Sequence, residues 1–129
     1  MGIKLVIVDD APFILEVLRH VFELSEVEIV GEARDGEAAV ALVDQVRPDV
    51  VLMDIVMPKK SGIEAAREII EKHPSTKIVA CTTVDQEGMV KRALEAGCCN
   101  FITKPFKAKD VLAAVRKAGG ENSKQEVDP

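Results

Sequence analysis

Five apolar runs, at 3–8, 27–33, 50–53, 77–82 and 99–103, punctuate the chain, and the stretches between them carry apolar residues at helical spacing. Strands and helices in strict alternation predict an α/β domain. The runs at 3–8, 50–53 and 77–82 are apolar at nearly every position, the pattern of strands buried on both faces of a parallel sheet. Right-handed crossovers then distribute the helices over the two faces. The expected architecture is a doubly wound, five-stranded parallel sheet with strand order 2-1-3-4-5.

The helices carry their own start and stop signals. The first is expected from Pro12 to about Leu24, with proline in its first turn and Ile14, Val17, Leu18 and Val21 on one face. The second is expected from Gly36 to Val46 behind Asp35 as N-cap. Ser61 and Glu64 have capping-box spacing for a third helix that ends near His73, before Pro74. Asp85 is placed to cap a fourth, whose Met89, Val90, Ala93 and Leu94 are expected to face inward until Gly97 ends it. A fifth, at 107–118, offers Val111, Leu112 and Val115 to the core. Residues 1–118 then form one domain, and the polar stretch 119–129 is expected to be a mobile tail.

Four of the strands end on polar chemistry: Asp9 and Asp10 after the first, Asp54 after the third, Thr82 at the end of the fourth, and Lys104 one residue past Thr103 in the fifth. Ligands of open parallel sheets bind outside the carboxyl ends of the strands, so these five side chains are expected at one mouth. Three ionised carboxylates about 5 Å apart repel by roughly 3 kcal/mol per pair at an effective dielectric near 20. A divalent cation relieves most of that cost, and hard carboxylate oxygens without imidazole or thiolate favour Mg²⁺. The residues alone do not say which carboxylate reacts.

Composition narrows the setting. The chain of 129 residues has 22 acidic and 17 basic side chains, and a formal net charge of −5 opposes attraction to phosphate backbones. No nucleic-acid binding is expected. Cys81, Cys98 and Cys99 form neither a CxxC pair nor a metal-ligand set, and the first residues suggest neither a signal peptide nor a membrane span. A reduced, cytoplasmic, membrane-free setting is the expectation. The cysteines read as small packing residues, with vicinal thiols at 98 and 99 open to oxidation if exposed. His20 and His73 have no ligand spacing and are expected at the surface or its boundary.

Taken together, VDD at 8–10, MDIVMPKKSG at 53–62, Thr82 and KPF at 104–106 resemble the receiver domains of two-component response regulators, over about residues 2–118. The resemblance implies a flavodoxin-like (CheY-like) (βα)5 fold. It implies Asp54 as phosphoacceptor, Mg²⁺ held by Asp10, Asp54 and the backbone carbonyl of Val56, and Asp9 holding metal-bound water. It further implies that Thr82 and Lys104 contact the phosphoryl group, that Thr82 and Phe101 act as a switch remodelling the surface of the fourth helix, fifth strand and fifth helix, and that Lys104–Pro105 is a candidate cis bond. The stretch ACTTVDQEGMVKRALEAGCCNFITKPF is similar to chemotaxis response regulators of the CheY type. That similarity implies a sensor histidine kinase of chemotaxis as phosphodonor and a flagellar motor switch protein as output partner for a monomeric regulator. No effector domain is expected after the fifth helix.

Three positions depart from common receivers: Ser61 stands where Asp is frequent but caps a helix comparably, and the other two are more telling. Val56 and Val84, two residues after Asp54 and Thr82, stand where many receivers carry polar side chains near the attacking water. Valine cannot orient water, so slow phosphoaspartate hydrolysis is expected, with a separate phosphatase supplying the polar group. The lysines at 59–60 read as a solvated loop, and Lys91 and Arg92 as groups able to read an acidic partner. Three other functions use similar parts: a phosphorelay shuttle, a Mg²⁺-dependent phosphatase with an aspartyl nucleophile, and a flavin-binding module. The phosphatase usually has a DxD arrangement, whereas Ala11 and Pro12 follow Asp10; the flavin module is disfavoured by the lack of Trp and Tyr and of a glycine loop after the first strand.

Overall fold

Burial of apolar side chains on both faces of the strands organises the molecule. The computed structural model describes residues 2–57, 60–83 and 87–121. The strands are β1 (Lys4–Val8), β2 (Glu28–Ala33), β3 (Val50–Asp54), β4 (Lys77–Thr83) and β5 (Asn100–Lys104), alternating with α1 (Pro12–Phe22), α2 (Gly36–Val46), α3 (Gly62–Lys72), α4 (Glu87–Glu95) and α5 (Ala108–Arg116). All neighbouring strands pair in parallel, in the order β2-β1-β3-β4-β5. The expected topology is the observed one.

Alternate side chains of the central strands feed two separate cores. Val6, Val8, Val51, Met53, Ile78 and Ala80 pack with α2, α3 and α4, whereas Leu5, Ile7, Val50, Leu52, Val79 and Cys81 pack with α1 and α5. The period of two along a strand thus explains why uninterrupted apolar runs were needed: each face has helices to meet.

The helix ends follow local chemistry. Asp35 accepts from the Ala38 amide at 2.8 Å, and Ser61 and Glu64 form the complete capping box. Removing the Ser61 hydroxyl leaves the Glu64 amide without its acceptor; Ser61→Ala is expected to cost about 1 kcal/mol in a denaturant titration. Arg47 leaves α2 with φ of 49°, and Gly97 closes the turn after α4 at φ of 112°.

Several expectations are corrected. α1 stops at Phe22, because the Ser25 hydroxyl bonds the Phe22 carbonyl and ends the turn, leaving Leu24 fully exposed. The buried line of α1 is Leu15, Leu18 and Phe22; Val17 and Val21 lie half-buried at its edge. In α4, Ala93 is buried, with Ala96 just beyond the helix, while Leu94 is exposed. Small alanines let this turn sit close to the sheet, which rotates Leu94 outward. α5 ends at Arg116 and passes into a π-helical turn, Lys117–Glu121, where Gly119 lies so close to Ile3 and Val50 that a β-carbon would fall 2.8 Å from Ile3 Cγ2. Cys98 is buried, its thiol pushed up to about 12 by burial, so 98 and 99 are not a pair of exposed thiols. The expected Asp85 cap, Val84, Lys59 and residues 122–129 lie outside the described residues.

Candidate functional site

The carboxyl ends of β1, β3, β4 and β5 share one edge of the sheet, and the polar residues there are set by strand length. Asp9 and Asp10 follow the last residue of β1, Asp54 is the last residue of β3, and Lys104 the last of β5. Strand register places Asp54 opposite Cys81, Thr82 opposite Thr103 and Thr83 opposite Lys104. One carboxylate oxygen from each of Asp9, Asp10 and Asp54 lies within 4.8 Å of the other two. Asp9 and Asp54 are buried, at 1% and 6% exposure, whereas Asp10 faces solvent.

Burying two carboxylates requires compensation, and the fold supplies it from backbone amides and one amine. Asp9 Oδ1 accepts from the Ala11 amide at 3.0 Å, and Asp54 Oδ1 from the Val56 amide at 3.1 Å. Lys104 Nζ donates to Asp9 Oδ2 at 2.8 Å and reaches Asp54 Oδ2 at 3.4 Å. Burial still raises the Asp54 carboxyl above its ordinary range, against the Val56 amide and Lys104, which pull it down. Burial disfavours the Lys104 cation, but the Asp9 hydrogen bond and both carboxylates outweigh it and hold the amine above its usual value. The site is short of positive charge even with its lysine.

The donor set fits a hard divalent cation. Three carboxylate oxygens converge, one of them on an exposed side chain, and no thiolate or imidazole stands among them. Cys81, beside Asp54 in the sheet, is buried and its thiol is pushed up to about 12, so it remains a neutral packing group.

Thr82 is buried, and among the described residues its hydroxyl makes a single contact, of 3.5 Å to the Thr83 carbonyl, at the outer limit of hydrogen bonding. Phe101, on the outer strand of the sheet, is 38% exposed. The Lys104–Pro105 bond is cis. Val56 is 53% exposed.

Sequence reasoning missed how the connection from β3 to α3 is held. Lys60 is not a solvated lysine; its amine pairs with Glu68 of α3. Gly62 packs so tightly that a β-carbon would sit 2.2 Å from the Asp54 carbonyl oxygen, and one on Gly36 would sit 2.1 Å from that of Lys60. Glycines directly after the cap residues Asp35 and Ser61 were the available signal. His73, half-buried, meets Asp44 of α2 at 2.7 Å, and His20 is exposed; neither lies among the strand-end residues.

With this geometry in place, comparison with known proteins is decisive. The response regulator receiver domain family matches residues 5–116. The chain belongs to this family. The receiver is 44% identical over 116 residues to the chemotaxis protein CheY of Listeria monocytogenes, covering 90% of this chain and 98% of that one. It is 40% identical over 117 residues to the chemotaxis protein CheY of Thermotoga maritima, covering 91% and 98%. Among solved structures, the CheX–CheY–BeF3–Mg²⁺ complex from Borrelia burgdorferi contains a chain with a TM-score of 0.83 and 32% identity, covering 89% of this receiver and 87% of that chain. Among the described residues, no helix is long and apolar enough to cross a membrane.

Proposed function

We propose that this receiver is a single-domain response regulator, with residues 1–118 as its working unit, that accepts a phosphoryl group on Asp54 from a histidine kinase. The observation that carries the reading is the buried Asp54 carboxylate at the end of β3, grouped with Asp9 and Asp10 and reached by Lys104. Asp10, Asp54 and the Val56 carbonyl would hold Mg²⁺, with Asp9 holding its water. When bound, the ion supplies neutralisation of charge on the phosphoryl oxygens.

This chain's residues do the rest. An Asp54 oxygen attacks phosphorus in line; the P–N bond of the phosphohistidine breaks and its electron pair leaves with the imidazole. Lys104 pairs with one phosphoryl oxygen and the loosely held Thr82 hydroxyl donates to another. Thr82 then moves toward the phosphoryl group and Phe101, half-exposed in the starting state, turns into the space, remodelling the α4-β5-α5 surface. Because only the carboxylate attacks and burial raises the Asp54 pKa, the transfer rate falls with decreasing pH earlier than an ordinary aspartate would dictate.

Chemotaxis is the pathway this reading favours, since full-length relatives carry that name. A chemotaxis histidine kinase is the donor, a flagellar motor switch protein the output partner, and a phosphatase a further one; the similar Borrelia CheY is itself seen with a partner protein, CheX. The site is cytoplasmic and the regulator monomeric in this reading. Transfer from a phosphorylated chemotaxis kinase should be stoichiometric and Mg²⁺-dependent. Repeated turnover of a phosphate ester would instead mark an aspartyl-nucleophile phosphatase, and onward transfer to a histidine phosphotransfer protein a relay shuttle.

The exposed Val56 side chain offers water no polar contact beside the acceptor. Val56→Asn is expected to speed phosphoryl loss in Mg²⁺ about threefold or more, measured by decay of the labelled protein. An unchanged lifetime would remove Val56 from the account.

A further inference from the structure

The connection between β3 and α3 carries the Val56 carbonyl, and Lys60, further along it, is held from outside by two contacts. The Lys60 carbonyl oxygen lies against the α-carbon of buried Gly36, where a β-carbon would stand only 2.1 Å away, with the Lys60 carbonyl carbon and Cβ each at 2.8 Å. That is backbone against backbone, so no rotamer change relieves it. The Lys60 amine is tied to Glu68, which also meets Lys72 at 3.6 Å, and the pair is largely shielded, each side chain about a third exposed. The connection is further closed by Gly62 N–H to the Ile55 carbonyl at 3.3 Å and Ile55 N–H to the Cys81 carbonyl at 3.1 Å.

We propose that Gly36 and Glu68 are positioning residues for the cation site, acting through Lys60 to hold the β3–α3 connection where the Val56 carbonyl can serve as a ligand. The N-terminus of α2 and the middle of α3 thereby set the metal affinity of a site neither touches. The inference rests on the reading of Asp9, Asp10 and Asp54 as a Mg²⁺ site. Outer contacts of this kind commonly change metal affinity about tenfold or more when removed.

Mg²⁺ affinity is read from the rise in unfolding temperature with added MgCl2, with no phosphodonor present. Gly36→Ala is expected to weaken Mg²⁺ binding about tenfold. Gly31→Ala in β2, whose β-carbon meets the flexible Leu42 side chain of α2 rather than backbone, is expected to leave it unchanged. Lys60→Gln and Glu68→Gln separate position from charge, because through-space electrostatics alone makes the first bind Mg²⁺ more tightly and the second less tightly. The proposal predicts that both weaken binding and that Lys60→Arg restores it. Unchanged affinity in Gly36→Ala, or opposite shifts in the two glutamine variants, overturns it. Should Gly36→Ala not fold, the glutamine pair decides alone. Absence of any Mg²⁺ effect on the unaltered protein would overturn the underlying metal reading instead.

Discussion

Lys104→Met is expected to lower metal-free stability at pH 7 by about 3 kcal/mol, because it strips two buried carboxylates of their shared cation. For a domain of this size that is a fall of roughly 10 °C in unfolding temperature. The Lys104 amine is the group that reaches Asp9 and Asp54 together, and among the described residues the Asp9 carboxylate would retain the Ala11 amide alone. Two further consequences identify the cause as charge rather than packing. Saturating Mg²⁺ should return most of the loss, because the ion takes over the neutralising role. Lowering the pH until the carboxylates protonate should shrink the difference between the two proteins. A loss that neither Mg²⁺ nor acid reduces would mean that Lys104 matters through its aliphatic stem.

Asp54→Asn is expected to act in the opposite direction on metal-free stability while abolishing phosphoryl acceptance. Burial raises the folded-state pKa of Asp54 above 3.8. A group so shifted contributes stability that is fully present below its unfolded pKa and is lost as pH rises through the folded value. The unaltered protein therefore carries a cost at neutral pH that asparagine does not, and the variant should unfold at a higher temperature at pH 7 without metal. Its advantage should fade toward pH 3, where both side chains are neutral. Added Mg²⁺ should reverse the ranking, since only the aspartate supplies an anionic ligand. Equal stability of the two proteins across pH 3–7 would show that Asp54 bears no electrostatic penalty.

The opposition of these two variants summarises the physical logic of the edge: one lysine is too little charge for three acidic groups, and the remainder favours a cation and then a phosphoryl group with its metal. Much of this was legible in the sequence because a parallel sheet converts sequence position into spatial position. Val8, Met53 and Ala80 are far apart in the chain but lie side by side in the register, so residues that end the strands necessarily end at one edge. The apolar runs of β1, β3 and β4 had to be buried twice over, which dictated helices on both faces.

What the sequence concealed depends on small rotations and close approaches. The apolar stripe of α4 includes Leu94 on any helical wheel, yet Ala93 and Ala96 win the buried positions because small side chains let the backbone come nearer the sheet. Leu24 has helical spacing but lies past a turn closed by the Ser25 hydroxyl. Lys60 looked solvated because lysines in loops usually are; only the fold brings Glu68 and Gly36 to it.

The most direct test is the location of the phosphoryl group. The intact protein is incubated with Mg²⁺ and acetyl phosphate, digested, and the peptide bearing the added mass is sequenced by fragmentation. A single Mg²⁺-dependent modification on Asp54, absent in Asp54→Asn, is expected. Modification of Asp9, Asp10, His20 or His73 instead, or none with metal and donor in excess, would contradict it.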